Sequence, residues 1–166
     1  MLDEAAAFAT AASVLIGAVT WLVSHRREQG QARISHTADL IANISTSERL
    51  ADANYSVTTL INSGGRPALA DIEPELELHV VTMLDYYEYI AELCMRGVVD
   101  KPTVVSLRGN LMRRTWDACS RYIADTRERQ RRLVYIEFER FVAALPADLN
   151  AFQPVAATGE PSVPGT

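Results

Sequence analysis

The sequence predicts an all-α protein in which a single N-terminal transmembrane helix is followed by a small helical bundle. Three observations carry that expectation. Residues 5–23 read AAAFATAASVLIGAVTWLV and hold no charge, with Asp3 and Glu4 before them and His25, Arg26 and Arg27 after. Apolar residues downstream recur at the three-and-four spacing that places them on one side of a helix. Between those stretches stand the Gly, Pro, Ser and Asp residues that stop and start helices.

The uncharged run accounts for the first element. At about 1.5 Å of rise per residue it covers roughly the 30 Å of a bilayer's hydrocarbon core, where a lipid-exposed segment has to be helical to satisfy its backbone. A cleaved signal peptide has a basic start, a shorter apolar core and small residues before the cut. This chain begins Met1-Leu2-Asp3-Glu4 and leaves the run through Trp21-Leu22-Val23. A buried soluble helix fits the many alanines and Thr10, Ser13 and Thr20, but not so long a run without charge. Trp21 falls where interfacial aromatics are enriched. Arg26, Arg27 and Arg33 follow at the depth of lipid headgroups, and the positive-inside rule then places the N-terminus outside and the C-terminus in the cytoplasm. The expected location is the inner, cytoplasmic membrane. Ala9, Ser13 and Gly17 form a small-residue ladder at spacing four, through which two anchors would approach as a homodimer.

Composition bounds the rest. A chain of 166 residues divides into an anchor over 1–24, a cytoplasmic helical domain over 25–145 and a Pro- and Ala-rich tail over 146–166, expected to be disordered. The net charge of −5 argues against a nucleic-acid module, which carries a basic surplus. Cys94 and Cys119 belong to no close-spaced motif and read as small core residues.

Taken in order, the helical spacing of Ile34, Ala38, Ile41 and Ile44 continues the anchor without a break. Ser45 and Glu48 have the S-x-x-E spacing of a capping box, so a second helix is expected from there. It carries Leu50, Ala53, Val57, Leu60 and Ile61 on one stripe and stops at Asn62-Ser63-Gly64-Gly65-Arg66-Pro67. The next helix is predicted over 74–96, with Pro74 in its first turn and Gly97 closing it. Leu76, Val80, Met83, Leu84, Tyr87, Ile90, Ala91 and Cys94 share one arc of it and form its core face. Asp100 caps a short helix with Pro102 in the first turn, reaching about Leu107. Gly109-Asn110 interrupts it. A longer helix then carries Met112, Trp116, Cys119 and Ile123, and a last one carries Val134, Phe138, Phe141, Val142 and Leu145 before Pro146 ends the pattern.

Two surfaces of the 74–96 helix are candidates for action. Asp85, Glu88 and Glu92 make an acidic stripe, expected to pair with Arg113, Arg114 and Arg121 of the later helix as a charge network. Leu78, Tyr86, Tyr89 and Leu93 lie outside the core arc and make a candidate interaction face. Nothing in the sequence marks a catalytic centre. Glu75 and His79 are four apart, but the Glu-x-x-His pairs of helical di-metal sites are absent, and Gly64-Gly65 lacks the spacing and the following lysine of a phosphate loop. No cofactor and no metal are expected.

The segments Leu84-Asp85-Tyr86-Tyr87-Glu88-Tyr89-Ile90-Ala91, Arg96-Gly97-Val98-Val99-Asp100, Leu111-Met112-Arg113-Arg114-Thr115-Trp116 and Tyr135-Ile136-Glu137-Phe138-Glu139 resemble a domain-of-unknown-function family of small bacterial and phage membrane-anchored helical proteins. The resemblance covers roughly residues 33–145. It implies an anchor with a helical domain and no chemistry. The function expected on these grounds is a membrane-anchored interaction or regulatory module, acting on another membrane protein or in phage exclusion and defence. The alternative is a membrane-proximal enzyme using the carboxylates of the 74–96 helix.

Overall fold

The computed structural model describes the backbone of residues 2–147 and the side chains of residues 20–44 and 46–147. Five helices follow one another, with no strand among the described residues: α1 (Leu2–Thr46), α2 (Glu48–Asn62), α3 (Pro74–Met95), α4 (Lys101–Gln130) and α5 (Ile136–Ala143). The fold is all-α, as its periodicity requires. The ladder of Ala9, Ser13 and Gly17 and the tail from residue 148 lie outside the described side chains.

Helix α1 has 45 residues, and only its last turns join the bundle. Thr37, Ile41 and Ile44 are buried and Leu40 packs against them. From residue 20 to residue 36 every side chain is exposed, so this length of helix stands clear on all sides. Among the described residues no helix is long and apolar enough to cross a membrane. Most of the uncharged run of residues 5–23 precedes the first described side chain.

The boundary between α1 and α2 differs from the capping-box expectation. Ser45 remains inside α1, the helix restarts at Glu48, and the N-cap is Ser47, whose side chain makes no capping bond. A box is not needed there, because the backbone ladder nearly runs through: the Ser47 amide still reaches the Asn43 carbonyl at 3.0 Å and the Ala51 amide reaches that of Ser47 at 2.8 Å. The two helices keep one general direction, both antiparallel to α3. The Tyr86 hydroxyl of α3 donates to the Leu40 carbonyl at 2.9 Å, whereas Arg49, further along the chain, meets Thr82, nearer the start of α3.

Helix α3 occupies the middle. Val80, Met83, Leu84, Tyr87, Ile90, Ala91 and Cys94 are all buried, as their arc requires, while Leu76 is partly buried at the edge. It ends in a Schellman arrangement: Gly97 takes φ +67, its amide reaches the Cys94 carbonyl at 3.1 Å and the Val98 amide reaches that of Leu93 at 3.0 Å. Asp100 then caps α4 as expected, accepting from the Thr103 amide at 2.9 Å and the Thr103 hydroxyl at 2.6 Å.

The interruption expected at Gly109-Asn110 does not occur. α4 runs unbroken through both, with Gly109 buried. A mid-helix glycine costs about 1 kcal/mol relative to alanine, which packing on both sides of it offsets. Val104, Val105 and Met112 supply that packing. At the far end Arg131 and Tyr135 both take left-handed φ, 50 and 59, and reverse the chain into α5. Phe138 and Phe141 of α5 are fully buried. Phe138 meets Tyr87 with ring centroids 5.4 Å apart and Trp116 edge-on at 5.4 Å.

Candidate functional site

The acidic stripe of α3 does not form the expected network. Glu88 points at the start of α5, where its carboxylate accepts from the backbone amides of Glu137 at 3.2 Å and Phe138 at 2.7 Å. These are unpaired donors of a helix N-terminus, so Glu88 caps α5 from another element. Glu92 pairs with Arg96 one turn along its own helix. Asp85 faces the Tyr135 hydroxyl; burial first, and then this carboxylate, hold the phenol well above its ordinary range. The arginines go elsewhere too. Arg113 donates to the Pro146 carbonyl at 2.6 Å, Arg114 to the Asn62 side chain at 2.8 Å, and Arg121 is exposed. The physical reason is placement: α5 lies against the acidic side of α3, and its free amides are nearer than any guanidinium of α4.

The candidate interaction face divides. Leu78 and Tyr89 are exposed, at 54% and 51%. Tyr86, by contrast, is 8% exposed and belongs to the core, because it lies under Leu40 of α1; burial pushes its hydroxyl up to about 12. Leu93 packs partly against the core. Around Leu78 opens a groove of about 510 Å³ between α2 and α3, lined by Glu48, Arg49, Asp52, Leu78, His79 and Thr82. Of the other α3 carboxylates, Glu77 accepts from the Tyr122 hydroxyl at 3.0 Å. Among the described residues no three His, Cys, Asp or Glu side chains are placed to hold a metal.

On α1 the Trp21 and His25 rings stack, with centroids 5.2 Å apart and planes 4° from parallel, and Gln29 meets His25 at 2.9 Å. Arg26, Arg27 and Arg33 are exposed beside this ladder. Where α1 enters the bundle, the buried Thr37 hydroxyl accepts the Asp100 amide at 2.8 Å and donates to the Arg33 carbonyl at 2.7 Å. The α3–α4 turn is thereby pinned to α1. The periodicity of residues 34–44 predicts a continuing helix but carries no signal for this contact. Arg127 is a second such clasp, donating to the Val134 carbonyl at 2.7 Å and to Glu139 at 2.8 Å beside the Trp116 ring.

Cys94 and Cys119 are buried, and burial pushes their thiols up to about 11 and 12. Neither has the electropositive, exposed setting of a reactive cysteine.

The family described as a domain of unknown function, DUF4760, matches residues 7–145. The chain belongs to that family. The DUF4760 match begins inside the uncharged run and closes at Leu145, so the family unit takes in both the long α1 and the whole bundle. No curated relative and no solved structure matches the chain.

Proposed function

We propose that this DUF4760 protein is a membrane-tethered interaction module, in which residues 5–23 span the bilayer with the N-terminus outside and the bundle in the cytoplasm. One observation supports it above the others. α1 stands clear of the bundle on every side from residue 20 to residue 36, and Trp21, Leu22 and Val23 are 65%, 45% and 59% exposed at the end of an uncharged run. A free-standing helix with three successive large apolar side chains in water is costly, and a bilayer removes that cost. The basic residues Arg26, Arg27 and Arg33 follow the run, and Asp3 and Glu4 precede it, which is the charge bias of an inward C-terminus. The same helix brings Ala9, Ser13 and Gly17 to a parallel partner as a homodimer contact.

Fractionation with reporter fusions tests the reading. The chain is expected in the membrane pellet after carbonate washing and in the soluble phase after detergent. A fluorescent protein fused after Thr166 is expected to fluoresce, and alkaline phosphatase fused there to be inactive. Release by carbonate removes the anchor, and an active phosphatase reverses the orientation.

A further inference from the structure

Leu78, Thr82, Asp85, Tyr89 and Glu92 follow one another at spacings of four and three, and at about 100° per residue they fall within about 40° of one line along α3. This seam is the side of α3 left open. α1 and α2 wall it on one flank, where Tyr86 meets Leu40 and Arg49 meets Thr82. α5 walls it on the other, where Glu88 holds the amides of Glu137 and Phe138. Two large apolar side chains, Leu78 and Tyr89, lie on the seam about half exposed, eleven residues and hence about 16 Å apart. Its charge is negative on balance: Glu48 and Asp52 on the α2 wall and Asp85 on the floor are exposed beside the single cation Arg49, Glu92 is paired with Arg96, and no Lys or Arg occurs from residue 67 to residue 95. Arg49, the cation of the α2 wall, is turned to Thr82.

We infer that this seam docks a basic amphipathic helix belonging to another protein of the same membrane. The partner's chemistry is set by the surface: two apolar anchors eleven residues apart and Lys or Arg to meet Glu48, Asp52 and Asp85, since charge complementarity selects the sign and the apolar anchors supply the area. Lys and Arg concentrate on the cytoplasmic side of membrane spans, so such helices are available there. Confinement to one membrane raises their effective concentration.

The inference rests on the tethered reading, which also supplies a distance. From Val23 to Thr37 the stalk measures about 21 Å, and the α3–α4 turn is pinned at Thr37. Tyr89 and Leu78 then lie about 30 and 46 Å below the bilayer, so a partner helix reaches them about 20 to 30 residues after its span. A second copy of this chain cannot place its own basic stalk there. Its Arg26, Arg27 and Arg33 stand above the bundle, at a height the seam does not share.

Two experiments on the full chain test this. In neutral phosphatidylcholine nanodiscs, a Lys-rich helical peptide with leucines at positions i and i+11 is expected to bind, to photo-cross-link from a benzoyl-phenylalanine placed at position 78 or 89 but not 133, and to weaken at least tenfold in the double variant E48K/D52K at unchanged thermal midpoint. Equal binding by a Glu-rich peptide of the same leucine pattern, or indifference to the double variant, overturns the proposal. In cells, cross-links from positions 78 and 89 are expected to map to a basic helix about 20 to 30 residues past a span. Cross-links to a second copy of this chain or to a soluble protein overturn it as well. Fractionation of the same cells separates the two readings: a chain in the soluble fraction removes the tether, whereas a membrane-bound chain without these cross-links removes only the docking.

Discussion

The Glu88 carboxylate and the Phe138 amide meet at 2.7 Å across fifty residues of sequence. A helix of eight residues is too short to hold itself. α5 therefore depends on the phenylalanines it buries and on this cap. Glu88→Gln keeps an acceptor and loses the charge, and is expected to cost about 1 kcal/mol; Glu88→Ala leaves the amides uncapped and costs about 2 kcal/mol. Urea denaturation measures both. A loss under about 0.5 kcal/mol for Glu88→Ala shows that water caps α5 equally well.

Thr37 joins α1 to the head of α4. Valine has the same shape without the hydroxyl, so Thr37→Val leaves the Asp100 amide with no acceptor in a half-buried place. The expected cost is about 1–3 kcal/mol, against about 1 kcal/mol for Tyr86→Phe, which removes the bond to the Leu40 carbonyl. Hydrogen exchange at the Asp100 amide reports the first change directly. Unaltered protection there contradicts the contact.

Alkaline pH destabilises the fold through its buried thiols and phenols. Cys119 and Tyr122 have folded values near 12, above ordinary values of 9 and 10, both chiefly through burial. A raised folded value means full stability below about pH 9 and loss as pH rises towards 12, because the unfolded chain gives up a proton that the folded chain keeps. Each such group then contributes a slope of up to about 1.4 kcal/mol per pH unit. Denaturation midpoints between pH 8 and 11 are expected to fall, and less steeply in Cys119→Ala. At pH 8 the two thiols should react with a chromogenic disulfide only after unfolding; rapid reaction of the native chain contradicts their burial.

The bundle closes just past α5. Leu145 is buried there, and Arg113 holds the carbonyls of Pro146 and Ala147. A chain ending at Ala147 is expected to melt within about one degree of the full chain. One ending at Ala144 loses a buried leucine and should be about 2–4 kcal/mol less stable. Calorimetry of the two truncations decides it.

Helical periodicity identifies which residues of α3 share a face, and the seven best-aligned ones, Val80 to Cys94, are buried. The Gly97 stop and the Asp100 cap are legible because both are local chemistry, complete within a few residues. Tyr86 escapes the pattern because periodicity states the direction of a side chain but not whether a neighbour covers it, and the neighbour, Leu40, is 46 residues away. Glu88 and Thr37 are illegible for the same reason. A carboxylate four residues from another looks like a solvated stripe until the backbone of a distant helix arrives beside it. Gly109 misleads through a real local penalty that the tertiary packing of α4 outweighs.

The contacts of Thr37, Leu40, Ile41 and Ile44 fix the rotational phase of α1 against the bundle. For a tethered chain that phase becomes a compass bearing: the open side of α3 looks in one azimuth within the membrane plane, chosen by where those four side chains fall on the helix. One residue added at Gly30, where a side-chain Cβ would meet nothing within 4 Å, turns the bearing by about 100° and lowers the bundle by about 1.5 Å. Seven added residues restore the bearing to within about 20° while lengthening the stalk by about 10 Å. Height and heading of the bundle are thus separate variables, written into α1 as residue count and residue phase.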